Sequence, residues 1–249
     1  MLTFGELAWT AYIYAIVTKG DKTYWEVEQS RESIDDFVRA PTKSKIKDIE
    51  NIVVKQFLTG WGLCRISGQK TWGIATRIEH ELEKLDAAER DFLSRLSIGN
   101  VGAGRLSDNY ATIIKNLYNA LRSIDGCGPT AVSKILFLLF PKLFMMWDEP
   151  IRAYLRRSES PIPKDDGKGY VAFLRLGGQV AKSVRDDYRD SLGRRDRPED
   201  YLSGKLYAER NTKTLAKYLD EYLWIKITKE VMLSDLLPPP EWLIALAHS

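Results

Sequence analysis

Three features of this chain predict an all-α protein. Apolar residues recur at helical spacing along nearly its whole length. Glycines and prolines punctuate those stretches at helix-length intervals, and only residues 24–27 have strand character. The composition agrees, because 249 residues at 44% hydrophobic and 29% charged can bury a core as one large domain or two small ones.

The elements follow in order. Leu7, Ala11, Tyr14 and Ala15 mark a first helix within the apolar stretch 7–17. That stretch has neither a basic leader nor a small-residue cleavage site, so it reads as a core helix. Ile46, Ile49, Val53 and Phe57 mark a second helix, and Ile74, Ile78 and Leu82 stripe a third over 70–85. Asp86 with Glu89 behind it opens another with an acidic first turn, running to about Ser97 before glycines break it at 99–104. Residues 110–124 carry Ile113, Leu117, Leu121 and Ile124 on one face. After the turn Asp125-Gly126-Cys127-Gly128, a helix starts at Pro129 and stops at Pro141, and Asp148 opens the next through Leu155. A polar linker is expected over 158–168, then helices over 170–188 and 205–231 separated by the charged stretch 194–200, and a packed tail at 237–242.

Several function classes fall away. Two cysteines, Cys64 and Cys127, and two histidines, His80 and His248, are too few for a disulfide scaffold, a zinc cage or a cysteine-ligated iron–sulfur cluster. The simplest setting is reducing and intracellular. The longest apolar run, 135–147, is broken by Pro141 and Lys142 and is too short to span a bilayer, so no membrane role is expected. The net charge is only +3, and the first 125 residues balance at 17 basic and 17 acidic. The excess lies later, where Arg152, Arg156 and Arg157 cluster, as do Arg194, Arg195 and Arg197; a solvated surface explains such runs as well as a ligand does.

The stretch 121–157 carries the chemistry. Two glycines one residue apart make a tight turn between helices, and the second helix offers first-turn N–H groups to an anion such as a phosphate. Ala131, Ile135 and Leu136 would pack that helix on the one before it. Met145, Met146 and Trp147 put Asp148 at the end of an apolar wall, where electrostatic effects strengthen. Asp148 is equally a natural helix N-cap.

Here the sequence resembles a known family. The run Ile124-Asp125-Gly126-Cys127-Gly128-Pro129-Thr130-Ala131 is similar to the helix-hairpin-helix element of the helix-hairpin-helix DNA glycosylase superfamily. Trp147-Asp148, followed by Ile151-Arg152, resembles the segment in which that family's catalytic Asp caps a helix, and Asp148 lies 18 residues after Thr130, a family-like spacing. The resemblance covers about residues 110–157. It implies a glycosylase-like helical core over 1–157, with the hairpin at 110–140 and the C-terminal helices of 158–249 packed on it.

The activity implied is base excision from double-stranded DNA, with Asp148 stabilising positive charge at the sugar or activating water. Gly126, Cys127, Gly128 and Thr130 would form the duplex-contacting turn, Cys127 as a small filler. The carbonyls of Gly126 and Gly128 are where the family often holds a monovalent cation, and no other cofactor is implied. Lys134, Arg152 and Arg156 would add phosphate contacts. Trp61, between two glycines, and Trp147 would line the base pocket, with Trp9, Tyr12 and Trp72 as further aromatic suppliers. Two departures stand out. Ile124-Asp125 replaces the usual Leu-Pro, and Thr130 stands where bifunctional members carry Lys, which points to a monofunctional hydrolase, with Lys134 one turn on as the substitute amine. A noncatalytic helix-hairpin-helix nucleic-acid binder and a helical scaffold are the alternatives.

Overall fold

The computed structural model describes residues 1–19, 21–61, 68–158, 162, 164–207, 213–229 and 239–247. The elements are α1 Phe4–Val17, α2 Lys22–Glu28, α3 Arg31–Arg39, a 3-10 turn Lys43–Lys45, α4 Ile46–Ile49 running into a π-helical segment Glu50–Leu58, α5 Gly68–Glu83, α6 Ala87–Arg95 and α7 Ile98–Gly102. There follow α8 Asp108–Arg122, α9 Pro129–Leu139, α10 Glu149–Arg157, α11 Gly167–Leu192, α12 Pro198–Tyr207, α13 Leu215–Leu223 with a π-helical extension Trp224–Lys229, and α14 Glu241–Ala247. No strand occurs among the described residues. None of the described helices is long and apolar enough to cross a membrane.

Local chemistry explains the boundaries. Thr3 and Glu6 form a reciprocal capping box on α1, and Asp86 and Glu89 form another on α6. Gly126 takes a φ of +86°, which ends the α8 side of the hairpin, and Pro129 occupies the first turn of α9. A helix that is apolar all round must be buried, and α9 is: every residue from Ala131 to Leu139 is buried. α8, α3 and the 50–58 segment pack around it, while α1 runs against α11, α12, α13 and α14. The C-terminal helices therefore lie on the first helix of the chain.

Four expectations are corrected. Residues 24–27 are helical in α2, because Tyr24 and Val27 bury one helical face and that packing overrides their strand propensity. The stretch 98–102 is a helix N-capped by Ser97 rather than a break. One helix over 205–231 is replaced by α12 and α13, and α12 begins inside the supposed separator, with Pro198 as its first residue. α11 starts at Gly167, inside the expected linker, with Asp166 capping it through the Gly169 amide. Cys64, His248, Leu237 and Pro238 lie outside the described residues; Trp242 is on α14, edge-on to Tyr201.

The contact between α7 and α11 depends on glycines. A Cβ on Gly102 would overlap the Gly178 carbonyl, and one on Gly178 would sit 2.6 Å from the Gly102 amide nitrogen. Backbone cannot swing aside as a side chain can. Gly102→Ala is therefore expected to destabilise the protein by about 1–3 kcal/mol, read as a lower urea midpoint at unchanged slope.

Candidate functional site

The hairpin turn is tightly tied. The Cys127 amide donates to the Ile124 carbonyl at 3.0 Å, and Arg122 donates to the Cys127 carbonyl at 3.0 Å. Cys127 is buried, and burial pushes its thiol up to about 11, consistent with filler rather than nucleophile. Lys70 pairs with Asp125 at 2.6 Å, which offsets the negative charge beside the turn and holds that carboxyl below the usual range. Gly128 N-caps α9 without a side-chain cap, and a Cβ there would meet nothing within 4 Å, so this edge of the backbone is open. The Arg122 guanidinium places a positive charge on the Cys127 carbonyl, between the two glycines of the turn.

From Gly128 to Lys134 is six residues of one helix, an advance of about 9 Å. Lys134 does not continue the turn's surface. Its side chain is 5% exposed and lies 3.7 Å from Asp148 across a cavity of about 370 Å³ that Trp61, Trp224, Tyr14 and Asp220 also line. Burial lowers the affinity of Lys134 for its proton, and Asp148 and Asp220 oppose that shift without reversing it. Trp61 presents its ring to the Lys134 ammonium at 4.8 Å.

Asp148 is held from both sides. Ser133 of α9 accepts the Trp147 amide at 2.8 Å, Arg152 donates to the Trp147 carbonyl, and Tyr170 donates to the Met145 carbonyl at 2.8 Å. Asp148 stands at the N-cap position of α10 with extended backbone, yet its side chain makes no capping bond. Its Oδ1 is buried without a hydrogen-bond partner among the described residues.

Behind the cavity is an ionic core that the sequence reading missed. Lys213 and Lys217 are fully buried and share Asp21, at 3.4 and 3.2 Å, and Glu221, at 2.6 and 3.4 Å. Lys217 also donates to the Tyr14 hydroxyl at 3.2 Å and lies 3.7 Å from Asp220. Burial works against charge on Lys217, but Asp21, Tyr14 and Glu221 outweigh it and hold the ammonium well above the usual lysine range. With Lys134 and Asp148 included, four carboxyls face three amines, so one acid lacks a full counter-charge. That acid is Asp220: burial pushes its carboxyl up to about 7, Lys217 opposes this, and Asp148 and Glu221 add to it.

A carboxyl raised in the folded state contributes stability that is full below its ordinary value near 3.8 and is lost as pH rises through about 7. Thermal melts of the Asp220→Asn variant are expected to lack the decline in Tm that this group imposes on the wild type across that window.

The remaining candidates separate. Arg152 is 5% exposed and engaged by Thr130, Trp147, Glu149 and Asp165, so it is an internal strut rather than a phosphate contact. The Thr130 hydroxyl accepts from Arg152 at 3.0 Å. Arg156 is half-exposed and pairs with Asp165 and Glu149. Trp147 is buried in the aromatic core, stacked on Phe173 at 5.5 Å, and does not line the cavity; Trp61 does. Trp72 and His80 are exposed, and Trp9 and Tyr12 pack against the core. The structure thus brings together Lys134, Asp148 and Trp61, and adds Tyr14, Asp220 and Trp224. Comparison with family models, with curated proteins and with solved structures found no match to this chain.

Proposed function

We propose that this protein is a DNA base-excision glycosylase whose reaction takes place in the Lys134–Asp148 cavity. The observation that carries the reading is Asp148 itself, an aspartate at a helix N-cap whose carboxylate does not cap and instead turns a buried, unpartnered oxygen toward a buried lysine. A structural cap has no use for that arrangement, whereas a reaction building positive charge at a sugar does. About 370 Å³ is within the range of small-ligand pockets, and its lining includes two aromatic side chains, Trp61 and Trp224, of the kind that hold an extruded base. The hairpin supports the same reading, since the open Gly128 edge lies one short stretch of α9 from the amine.

Lys134 takes the amine role here. With its proton affinity lowered, its neutral form attacks C1′ as the glycosidic bond breaks. The base leaves with the bonding electrons and takes up a proton, and the amine nitrogen, now bonded to C1′, loses one. The C1′–O4′ bond then breaks, O4′ takes its electrons and a proton, and the nitrogen lone pair completes an iminium to the opened sugar that Asp148 stabilises. Water activated by Asp148 would give the simple hydrolase instead.

Single-turnover base release from duplexes carrying uracil, hypoxanthine, 8-oxoguanine, alkylated purines or mismatches tests the proposal, read with and without hot alkali. One duplex is expected to release its base and to cross-link to the protein under borohydride, with the cross-link absent in Lys134→Gln. Base release with strand breaks that appear only after alkali, and no cross-link, would make the enzyme a hydrolase. Salt-sensitive duplex binding with no release from any substrate would favour the noncatalytic binder, and absence of binding the scaffold.

A further inference from the structure

A second cavity, of about 840 Å³, lies at the end of α11 and takes no part in the function proposed above. Its lining is strongly one-sided in charge. Arg185 and Arg189 reach it from α11, Arg194, Arg195 and Arg197 from the loop that follows, Arg95 from the end of α6, and Lys142 from beyond α9. Against these seven cations stand two lining acids, Asp196 and Glu199, in a chain whose whole net charge is +3. Lys213 also borders the cavity, but its ammonium is turned inward onto Glu221.

The floor is built rather than incidental. The Ile98 amide donates to the Lys142 carbonyl at 2.8 Å, and the Thr214 hydroxyl donates to the Pro141 carbonyl at 2.7 Å, so three chain segments are locked together. Gly99 leaves room for the Arg185 guanidinium, which a Cβ there would overlap. Both lining acids act as orienters: Glu199 pairs with Arg185 at 3.4 Å, and Asp196 accepts from Arg194 and from the Tyr188 hydroxyl at 3.0 Å. Arg95, Arg189 and Arg197 also pair with acids outside the cavity, namely Asp91, Asp186, Asp190 and Asp200. Such exposed pairs are weak and re-form readily around a stronger partner. Lys142 and Arg195 make no ion pair among the described residues and are exposed.

We propose that this cavity binds a compact multivalent anion, a run of two or three linked phosphates. Cations converging from four chain segments onto a concavity can surround such a group on several sides, and guanidinium forks match its paired oxygens. A duplex backbone would meet only one side of them. The volume is also that of a small-molecule site. The phosphate run could belong to a nucleotide or stand alone as inorganic polyphosphate.

Calorimetric titration of the full chain tests this, with inorganic tripolyphosphate, ATP and duplex DNA as separate titrants at about 0.1 M salt. Saturable binding of one tripolyphosphate per chain is expected, weakened about ten-fold or more in the double variant Lys142→Gln/Arg195→Gln and unchanged in Asp148→Asn. Tripolyphosphate should also raise the Tm of the wild type and not that of the double variant, which reports folding of the variant in the same melt. Equal affinity for ATP and tripolyphosphate assigns the phosphate run alone, and tighter ATP binding assigns a nucleotide; both support the site. No saturation at millimolar tripolyphosphate, or equal binding by the double variant, overturns it. So does loss of duplex affinity in the double variant without tripolyphosphate binding, which would make this face a DNA surface. The Asp148→Asn arm keeps all of these outcomes separate from the fate of the glycosylase reading.

Discussion

Asp148→Asn is expected to lower single-turnover base release by about 10²–10⁴-fold while duplex affinity stays within a factor of about two. The substitution keeps the shape and removes the charge. No hydrogen bond among the described residues is lost at Oδ1, because that atom has none, and α10 loses no side-chain cap, because Asp148 provides none. Stability therefore separates the two readings of this residue. A true N-cap loses about 0.5–2 kcal/mol on replacement by Ala, so Asp148→Ala should melt measurably lower if Asp148 is only a cap. If the carboxylate serves chemistry, the Ala variant should melt near the wild type and be as inactive as Asn. Lys134 would lose its nearest counter-charge in either variant and hold its proton still less tightly.

The largest stability effect is expected at Glu221. Its Oε1 lies 2.6 Å from Lys213 and 3.4 Å from Lys217, all three side chains fully buried. Removing one member of a buried ion network leaves charge without compensation, at about 3–5 kcal/mol. For a chain of this size Glu221→Ala should then lower Tm by roughly 6–20 °C. Adding Lys213→Met should restore a good part of that, since the orphaned ammonium goes with it. The aromatic rings around Lys213, Tyr207 at 4.6 Å among them, can pack a thioether as well as an ammonium. A double variant no better than the single would show that Lys217, not Lys213, is the amine that Glu221 chiefly serves.

The helices were legible in the sequence because a 3.6-residue period survives without any knowledge of tertiary contacts. Leu117 and Leu121 on α8, or Ile74, Ile78 and Leu82 on α5, announce a buried face by spacing alone. Errors came where a local signal was outweighed at a distance. Tyr24 and Val27 favour strands, but their helical face finds the core. Arg194 to Arg197 looked like a spacer, although Pro198 with Glu199 and Asp200 is a good helix start. Half of the candidate site was readable: Lys134 and Asp148 through the resemblance carried by residues 124–152, and Trp61 by its glycine neighbours. The ionic core was not, because charged residues are read as surface unless something says otherwise. One sign was available, since Lys217, Asp220 and Glu221 sit three and four residues apart within Leu215-Ala216-Lys217-Tyr218-Leu219-Asp220-Glu221-Tyr222-Leu223, too apolar a helix to be a solvated one. Asp21 gives no sequence sign of joining them, because it lies 192 residues from Lys213.

That separation bears on how the protein comes into being. The cavity draws on Tyr14 and Asp21 near one end of the chain, Trp61, Lys134 and Asp148 along its middle, and Asp220 and Trp224 near the other. During synthesis the early helices leave the ribosome with Asp21 facing no lysine partner, and Lys134 follows with neither Asp220 nor the wall that excludes water. No nascent chain that stops short of α13 can carry the full lining of the cavity. The cavity is completed late, when α13 docks on α1 and brings Asp220 to the residues made before it.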